Sequence, residues 1–329
     1  MQSGTSPLVS VLIRSMDRPV LERALDCAAL QTYPHLELIV VGACGERHRD
    51  LPDQWHGRPL RLVRSVVPLP RAEAANAGLD AAFGDWINLL DDDDEWTEDH
   101  LEHLVAFALE GEARLVHSTA EIRNERNEHA GFVGRSGTHM QLYYQNRWQP
   151  TATLFHRSLM ADGARFDPAF EILEDWDFAI QCARLTAFRW LPEVTCIWHA
   201  GAGESGCGVG ANEDRSRHAA FAQRVRDKWR SQFEEWMKDP RELMFLGQRH
   251  LKEGDVGTAL ELLETVLDAL PNDLNALNLC AMANMHNGRL ERAEALLLSA
   301  ERLRPGVPAI RANLDLLRAK RLATSGSVR

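Results

Sequence analysis

Apolar residues fall along the chain in two rhythms. Val9 to Ile13 is an apolar run broken only by Ser10. Leu36 to Val41, Leu60 to Val63 and Trp86 to Leu90 are runs of similar kind. Short runs like these predict buried strands. Helical spacings lie between them. Leu21, Ala24, Leu25, Ala28 and Ala29 share one face, and Ala72 to Ala82 is an alanine-rich helix ended by Phe83-Gly84-Asp85. Strands alternating with helices predict an α/β domain, a mostly parallel sheet with helices on both faces. Asn212 to Lys238 predicts one long helix. Phe221, Val225, Trp229, Phe233 and Trp236 form its apolar stripe, ringed by Arg224, Arg226, Lys228 and Arg230. Such a helix joins two domains, with a membrane surface as the other reading.

From Asp239-Pro240 onward the pattern is Leu- and Ala-rich, with helical spacing and no strand rhythm. It also repeats. Leu243 and Leu277, Gly254 and Gly288, Ala259 and Ala293, and Pro271 and Pro305 are each 34 residues apart. The spacing resembles the tetratricopeptide repeat, in units of roughly 238–271 and 272–305 followed by a helix from Pro308 to Lys320. Small residues let paired helices approach, and the glycines permit the turns. The large aromatic usual near the start of each unit is absent. The expected division is a domain at 1–211, a linking helix at 212–238 and an all-α repeat domain at 239–329. Helical arrays present extended surfaces, so a protein partner is expected there.

Composition narrows the class. The 329 residues are 45% apolar and 26% charged, ordinary for a globular protein. No apolar run approaches the ~18 residues of a membrane helix. The start, MQSGTSPLVS, lacks the features of a secretion signal. A cytoplasmic protein is expected, with the inner membrane face as a peripheral site. Cys27, Cys44, Cys182, Cys196, Cys207 and Cys280 form no C-x-x-C pair, so reduced thiols are expected. The net charge of −11 is uneven: residues 240–329 hold 12 Lys/Arg and 11 Asp/Glu, and residues 1–239 hold 25 and 37. An acidic first half argues against nucleic acid.

The candidate chemistry starts at Trp86-Ile-Asn-Leu-Leu90, which runs into Asp91-Asp92-Asp93-Asp94-Glu95-Trp96. Ligands of open α/β sheets bind beyond the carboxyl ends of strands. Carboxylates crowded there repel unless a cation neutralises them. Their hard oxygens suit Mn²⁺ or Mg²⁺, which also bridge phosphates.

These segments together resemble the family 2 inverting glycosyltransferases of GT-A fold. Val9-Ser-Val-Leu-Ile13 is similar to the opening strand, and Arg18-Pro19, Arg23-Ala-Leu25 and Gln31-Thr-Tyr33 to the first helix and its end. Leu38-Ile-Val-Val41 resembles the second strand, and Ala74-Ala-Asn-Ala-Gly78 the helix before the metal strand. Leu90-Asp-Asp-Asp-Asp94 resembles the L-D-x-D-D segment with its DxD motif. Glu174-Asp-Trp-Asp177 resembles the Glu-Asp motif, and Trp198-His199, with Ser205 nearby, the late histidine segment. The likeness spans the first ~215 residues.

The resemblance implies a mechanism. Asp175 is the expected base, taking the acceptor's proton as its nucleophile attacks C1 opposite the leaving group. Glu174 orients the acceptor or its neighbour. Asp93 and His199 are the expected ligands of Mn²⁺ or Mg²⁺ on the donor diphosphate, with the roles of Asp91 and Asp93 open to exchange and Asp94 open to taking part. Arg14, Asp17, Arg71, Asn76, Asp91 and Asp92 are expected to bind the nucleotide sugar, with Arg71 replacing the arginine usual at Ala75. Trp148, Thr153 and Trp176 are the acceptor-side candidates, and Trp148 could stack on a sugar face.

The departures concern the base. Acids usual after the second strand are missing from Val41-Gly42-Ala43-Cys44-Gly45. A UDP-sugar is the default donor, with GDP- and dTDP-sugars open. The expected acceptor is a protein, a peptide or a surface glycan. Gly201, Gly203, Gly206, Gly208 and Gly210 suggest a loop that closes over the donor, or a plain connector. The competing classes are a degenerate transferase serving as a scaffold for the repeats, and a nucleotidyltransferase.

Overall fold

A computed structural model describes residues 6–201 and 207–326, with side chains through Leu322. Ser205, Gly203 and Gly206 lie outside the described residues. The chain forms two compact units. One holds residues 1–137 and 142–229, and the other residues 138–141 and 230–329.

The first unit is built on a ten-stranded sheet. Its strands are β1 (Val9–Ser15), β2 (Leu36–Gly42), β3 (Gln54–Trp55), β4 (Arg58–Val63), β5 (Trp86–Asp91), β6 (Glu95–Trp96), β7 (Leu115–Arg123), β8 (His129–Val133), β9 (Thr153–His156) and β10 (Phe188–Trp198). The order is β3-β4-β2-β1-β5-β9-β7-β10-β6, with β8 on β7. The run β4-β2-β1-β5 is parallel, as its apolar strands predict. Beyond it the sheet is mixed, because β9 enters antiparallel between β5 and β7.

The helices of this unit are α1 (Leu21–Ala29), α2 (Arg71–Ala81), α3 (His100–Leu109), α4 (His139–Tyr144), α5 (Ser158–Ala161), α6 (Glu174–Ala183) and α7 (Arg215–Lys228); α4 begins in the second unit. Alternation along β1 divides the core. Val9, Val11 and Ile13 pack with Leu21, Leu25, Leu101 and Leu104. Leu12 faces α2, where a Cβ on Gly78 would lie 3.3 Å from Leu12 and 3.2 Å from Val41. Glycine is what lets that helix settle so close to the sheet. Trp176, Phe155, Phe166 and Phe178 are fully buried, and Phe166 stacks on Phe178 at 4.2 Å.

The helix expected over 212–238 is two helices, α7 and α8 (Arg230–Trp236). At the break, Trp229 Nε1 donates to Asp177 Oδ1 at 2.7 Å, and Lys228 pairs with the same carboxylate at 2.7 Å. Asp177 is buried, so these partners hold the end of α7 where it stops.

The second unit is all-α. After α8 come α9 (Pro240–Glu253), α10 (Val256–Ala269), α11 (Leu274–His286), α12 (Leu290–Leu303) and α13 (Pro308–Gly326). Asp239, Asp255 and Asp273 cap α9, α10 and α11 by accepting backbone N–H groups, each typically worth ~1 kcal/mol. Gly254 and Gly288, the residues 34 apart, have φ of +84° and +75°, the left-handed conformation such turns require. Ala259 and Ala293 are fully buried among Leu263, Leu277 and Leu297. No helix of the described residues is long and apolar enough to cross a membrane.

Candidate active site

A cavity of about 700 Å³ opens in the first unit. Its walls include Arg14 and Ser15 at the end of β1, Arg71 at the start of α2, the run Asp91–Asp94 after β5, and Glu174 and Asp175 at the start of α6. Trp148 and His199 also line it. The parallel strands place their carboxyl ends together, and the acidic run follows one of them.

A clamp of opposite charges spans the floor. Arg14 donates to Asp91 Oδ1 from Nη2 at 2.6 Å and to Glu174 Oε1 from Nη1 at 2.9 Å. Arg71 Nε donates to the same Glu174 oxygen at 2.9 Å. Burial alone would raise the Glu174 carboxyl, but Arg71 and Arg14 hold it below the ordinary range. Asp91 is half-buried and is likewise held low by Arg14 and Arg71. Leu173, just before Glu174, sits at φ +62°. A left-handed leucine costs about 1–2 kcal/mol, strain tolerated where a chain must turn sharply into a site.

Asp175 has the opposite character. Burial, then the adjacent Glu174 charge, push its carboxyl up to about 6, against Arg71, the Asn146 hydrogen bond and the Trp176 amide. A carboxylate near 6 is poised to take a proton at neutral pH.

The consecutive aspartates diverge. Asp94 is buried, accepting from Thr151 Oγ1 at 2.8 Å and from the His199 backbone N–H at 2.9 Å. Burial and the charges of Asp91 and Asp93 raise it well above the usual carboxylate range. Asp92 is buried against Arg18, and burial raises it too. Asp93 keeps its carboxylate at the cavity, 3.1 Å from Arg18. His199 Nε2 lies 2.9 Å from Glu95 Oε1, which orients the ring.

Among the described residues no three His, Cys, Asp or Glu side chains converge into a metal cage. The donor set at Asp93 is nevertheless hard oxygen facing the cavity. Mg²⁺ and similar ions are commonly held by one or two carboxylates plus substrate phosphates. These residues fit an ion shared with a phosphate ligand, with His199 on the same wall.

Other expected site residues sit elsewhere. Asp17 Oδ2 accepts from the Arg49 N–H at 3.0 Å, and its carboxylate pairs with the Arg49 guanidinium at 3.2 Å, off the cavity wall. Asn76 spends both ends of its amide on the backbone of Phe166, at 2.8 and 3.0 Å. Thr153 is buried and donates to Gln149 O at 2.8 Å. Trp176 is buried and donates to Leu142 O at 2.5 Å. All four side chains are committed to holding the fold. Trp148 does line the cavity; it is 4% exposed, and its indole N–H is buried with no hydrogen-bond partner among the described residues.

Several wall residues were assigned no role from the sequence. Asn146 joins Asp175 at 3.0 Å, and Arg18 pairs with Asp92 and Asp93. Cys207, Asn212 and His218 come from the segment after His199. Arg18-Pro19 and the stretch Asn146-Arg-Trp-Gln149 stand out in the sequence, the first beside the opening helix and the second on the acceptor side, but neither states a partner.

Residues 10–165 match the model of glycosyl transferase family 2, and residues 250–315 a tetratricopeptide repeat model. YwdF of Bacillus subtilis (strain 168), an uncharacterized glycosyltransferase, is 28% identical over 198 residues, 58% of this chain and 73% of YwdF. A PGL/p-HBAD biosynthesis glycosyltransferase of Mycobacterium bovis (strain BCG / Pasteur 1173P2) is 27% identical over 184 residues, 54% of this chain and 70% of that protein. The fold is similar to that of S. aureus TarS 1–349, crystallised with UDP-GlcNAc, at a TM-score of 0.51 and 13% identity over 89% of this chain and 90% of that one. The chain is therefore an enzyme, with an N-terminal domain that belongs to glycosyl transferase family 2, whose members transfer sugar from nucleotide-sugar donors, and a C-terminal tetratricopeptide-like helical domain.

Proposed function

We propose that this chain is an inverting, metal-dependent glycosyltransferase with Asp175 as its base. It moves the sugar of a nucleotide sugar, a UDP-sugar by preference, to a hydroxyl of a surface-glycan or protein acceptor. The observation that carries this reading is the pairing inside one cavity of Asp175, pushed up to about 6, with the Arg14-Asp91-Glu174-Arg71 clamp.

The residues divide the work. Arg14 fixes Asp91 at the end of β5, where the ribose side of the donor would lie. Glu174 stays ionised between Arg14 and Arg71, and its charge keeps Asp175 basic. Mn²⁺ or Mg²⁺, held by Asp93 with His199 alongside, would neutralise charge on the leaving diphosphate. The acceptor hydroxyl gives its proton to Asp175 while its oxygen attacks C1. The unpartnered N–H of Trp148 suits a sugar oxygen, since a buried donor left unmatched costs about 1–3 kcal/mol. A UDP-sugar is the first donor to try because TarS, of similar fold, was crystallised with UDP-GlcNAc. The mycobacterial relative is by its name a PGL/p-HBAD biosynthesis glycosyltransferase. The repeats suggest a protein partner or acceptor. We place the protein in the cytoplasm or at the inner membrane face.

The test is a nucleotide-sugar panel with Mn²⁺, scoring release of UDP, GDP or dTDP by wild type, Asp93→Ala and Asp175→Asn. Release from one donor, lost in both variants, is expected. Full activity in Asp175→Asn would remove the base assignment.

A further inference from the structure

Asn146 is held from both ends of its amide. The Trp148 backbone N–H donates to Asn146 Oδ1 at 3.2 Å, and Asn146 Nδ2 donates to Asp175 Oδ2 at 3.0 Å. A backbone N–H can only donate, so the oxygen must face it and the amide has one orientation. Asn146 therefore offers Asp175 a donor. A proton on Oδ2 would weaken the bond that oxygen accepts, which favours Oδ1 as the oxygen that takes one.

We propose that Asn146 is the positioning residue for Asp175, fixing Oδ2 as a hydrogen-bond acceptor so that the incoming proton lands on Oδ1. The proposal rests on Asp175 being the base. In the step, the acceptor's hydroxyl oxygen bonds to the donor's C1. The bond from C1 to the phosphate oxygen breaks, and its electron pair leaves with the nucleoside diphosphate. The hydroxyl proton passes to Oδ1. Asn146 shares its short segment with Trp148 and Gln149, which line the same cavity, so one segment aims the base and shapes the wall beside it.

The groups that bear on Asp175 are Glu174 and the Trp176 amide on α6, Arg71 on α2, Asn146, and Cys207 after β10. Removing the Asn146 donor takes away one of the influences that favour the ionised form.

The test uses the full chain labelled with ¹³C-carboxyl aspartate, the Asp175 signal being the one lost in Asp175→Asn. Asn146→Ala and the near-isosteric, uncharged Asn146→Leu should each raise the Asp175 midpoint by about half a pH unit or more, with unchanged circular dichroism. In hydrolysis of UDP-GlcNAc with Mn²⁺, both should move the acid limb of kcat the same way and lower kcat ~10-fold, leaving donor KM unchanged. Asn146→Ser, which keeps a donor, should recover part of the loss. A midpoint unmoved in both variants overturns the role of Asn146 while the Asp175 reading stands. Wild-type hydrolysis by Asp175→Asn sinks the base assignment itself, and the role of Asn146 with it.

Discussion

Arg14 and Glu174 are 160 positions apart in the chain, and their side chains meet at 2.9 Å. The same guanidinium holds Asp91, so one arginine at the end of the first strand ties the acidic run to the helix that carries Asp175. Arg14→Ala takes one of two guanidinium partners from the buried Glu174 and the close partner of Asp91, and since Arg71 still holds Glu174 the cost should fall below the about 3–5 kcal/mol of a fully broken buried pair. The sign with pH follows from the lowered carboxyls. Their stabilisation is present above the ordinary carboxylate pKa of about 4 and is lost as pH falls through the lower folded values. Thermal melts should show wild type losing stability steeply below about pH 4, and Arg14→Ala starting lower and falling less. Parallel curves would contradict the clamp.

Asp93 and Asp94 are neighbours with different surroundings. Asp93→Ala should abolish Mn²⁺-dependent donor binding, read by titration calorimetry. Asp94→Asn should retain it, because the buried Asp94 carboxyl is spent on Thr151 and His199. The reverse pattern would reassign the metal ligand.

In the proposed mechanism Asp175 trades stability for reactivity. Burial and Glu174 raise its carboxyl to about 6, so the ionised form destabilises the fold at neutral pH and that penalty fades as pH falls through about 6. Asp175→Asn should raise the melting temperature at pH 8 by the equivalent of about 1–3 kcal/mol and cut transfer ~10²-fold or more. Wild-type kcat should climb with pH through about 6 and then level. A variant that is slower without being more stable would place the cost elsewhere.

Trp148→Phe keeps the ring and removes the unpartnered N–H. Donor hydrolysis should hold, while acceptor KM rises about 3–10-fold, the worth of one hydrogen bond. An unchanged KM would show that the N–H meets no substrate oxygen.

The repeat unit carries a groove lined by Leu267, Pro271, Leu296, Ser299, Arg292 and Arg302. Arg292→Glu with Arg302→Glu should leave the melting temperature close to wild type, since exposed changes usually stay within about 0.5 kcal/mol. Transfer to the natural acceptor should fall while donor hydrolysis stays constant. Equal rates on both would separate this groove from acceptor capture.

The sequence by itself determined what is local or periodic. Apolar runs marked β1, β2 and β5 because a strand buried on both faces needs apolar side chains on both, and the half-buried β4 was marked by the shorter run from Leu60 to Val63. The spacing of 34 marked the repeats because each pair of helices needs the same glycine turn and the same small contact. The acidic run was legible as a site because it follows a buried strand. Side-chain direction was decided only in three dimensions. Asp92, Asp93 and Asp94 read alike, and their fates depend on Arg18, Thr151 and His199, which arrive from distant segments. Asp17, Asn76, Thr153 and Trp176 were claimed by backbone groups and partners that no local pattern announces. Asn146 became the neighbour of Asp175 because the fold brings its segment to the first turn of α6. A buried polar group must find a partner wherever the fold provides one, and that choice belongs to the tertiary structure.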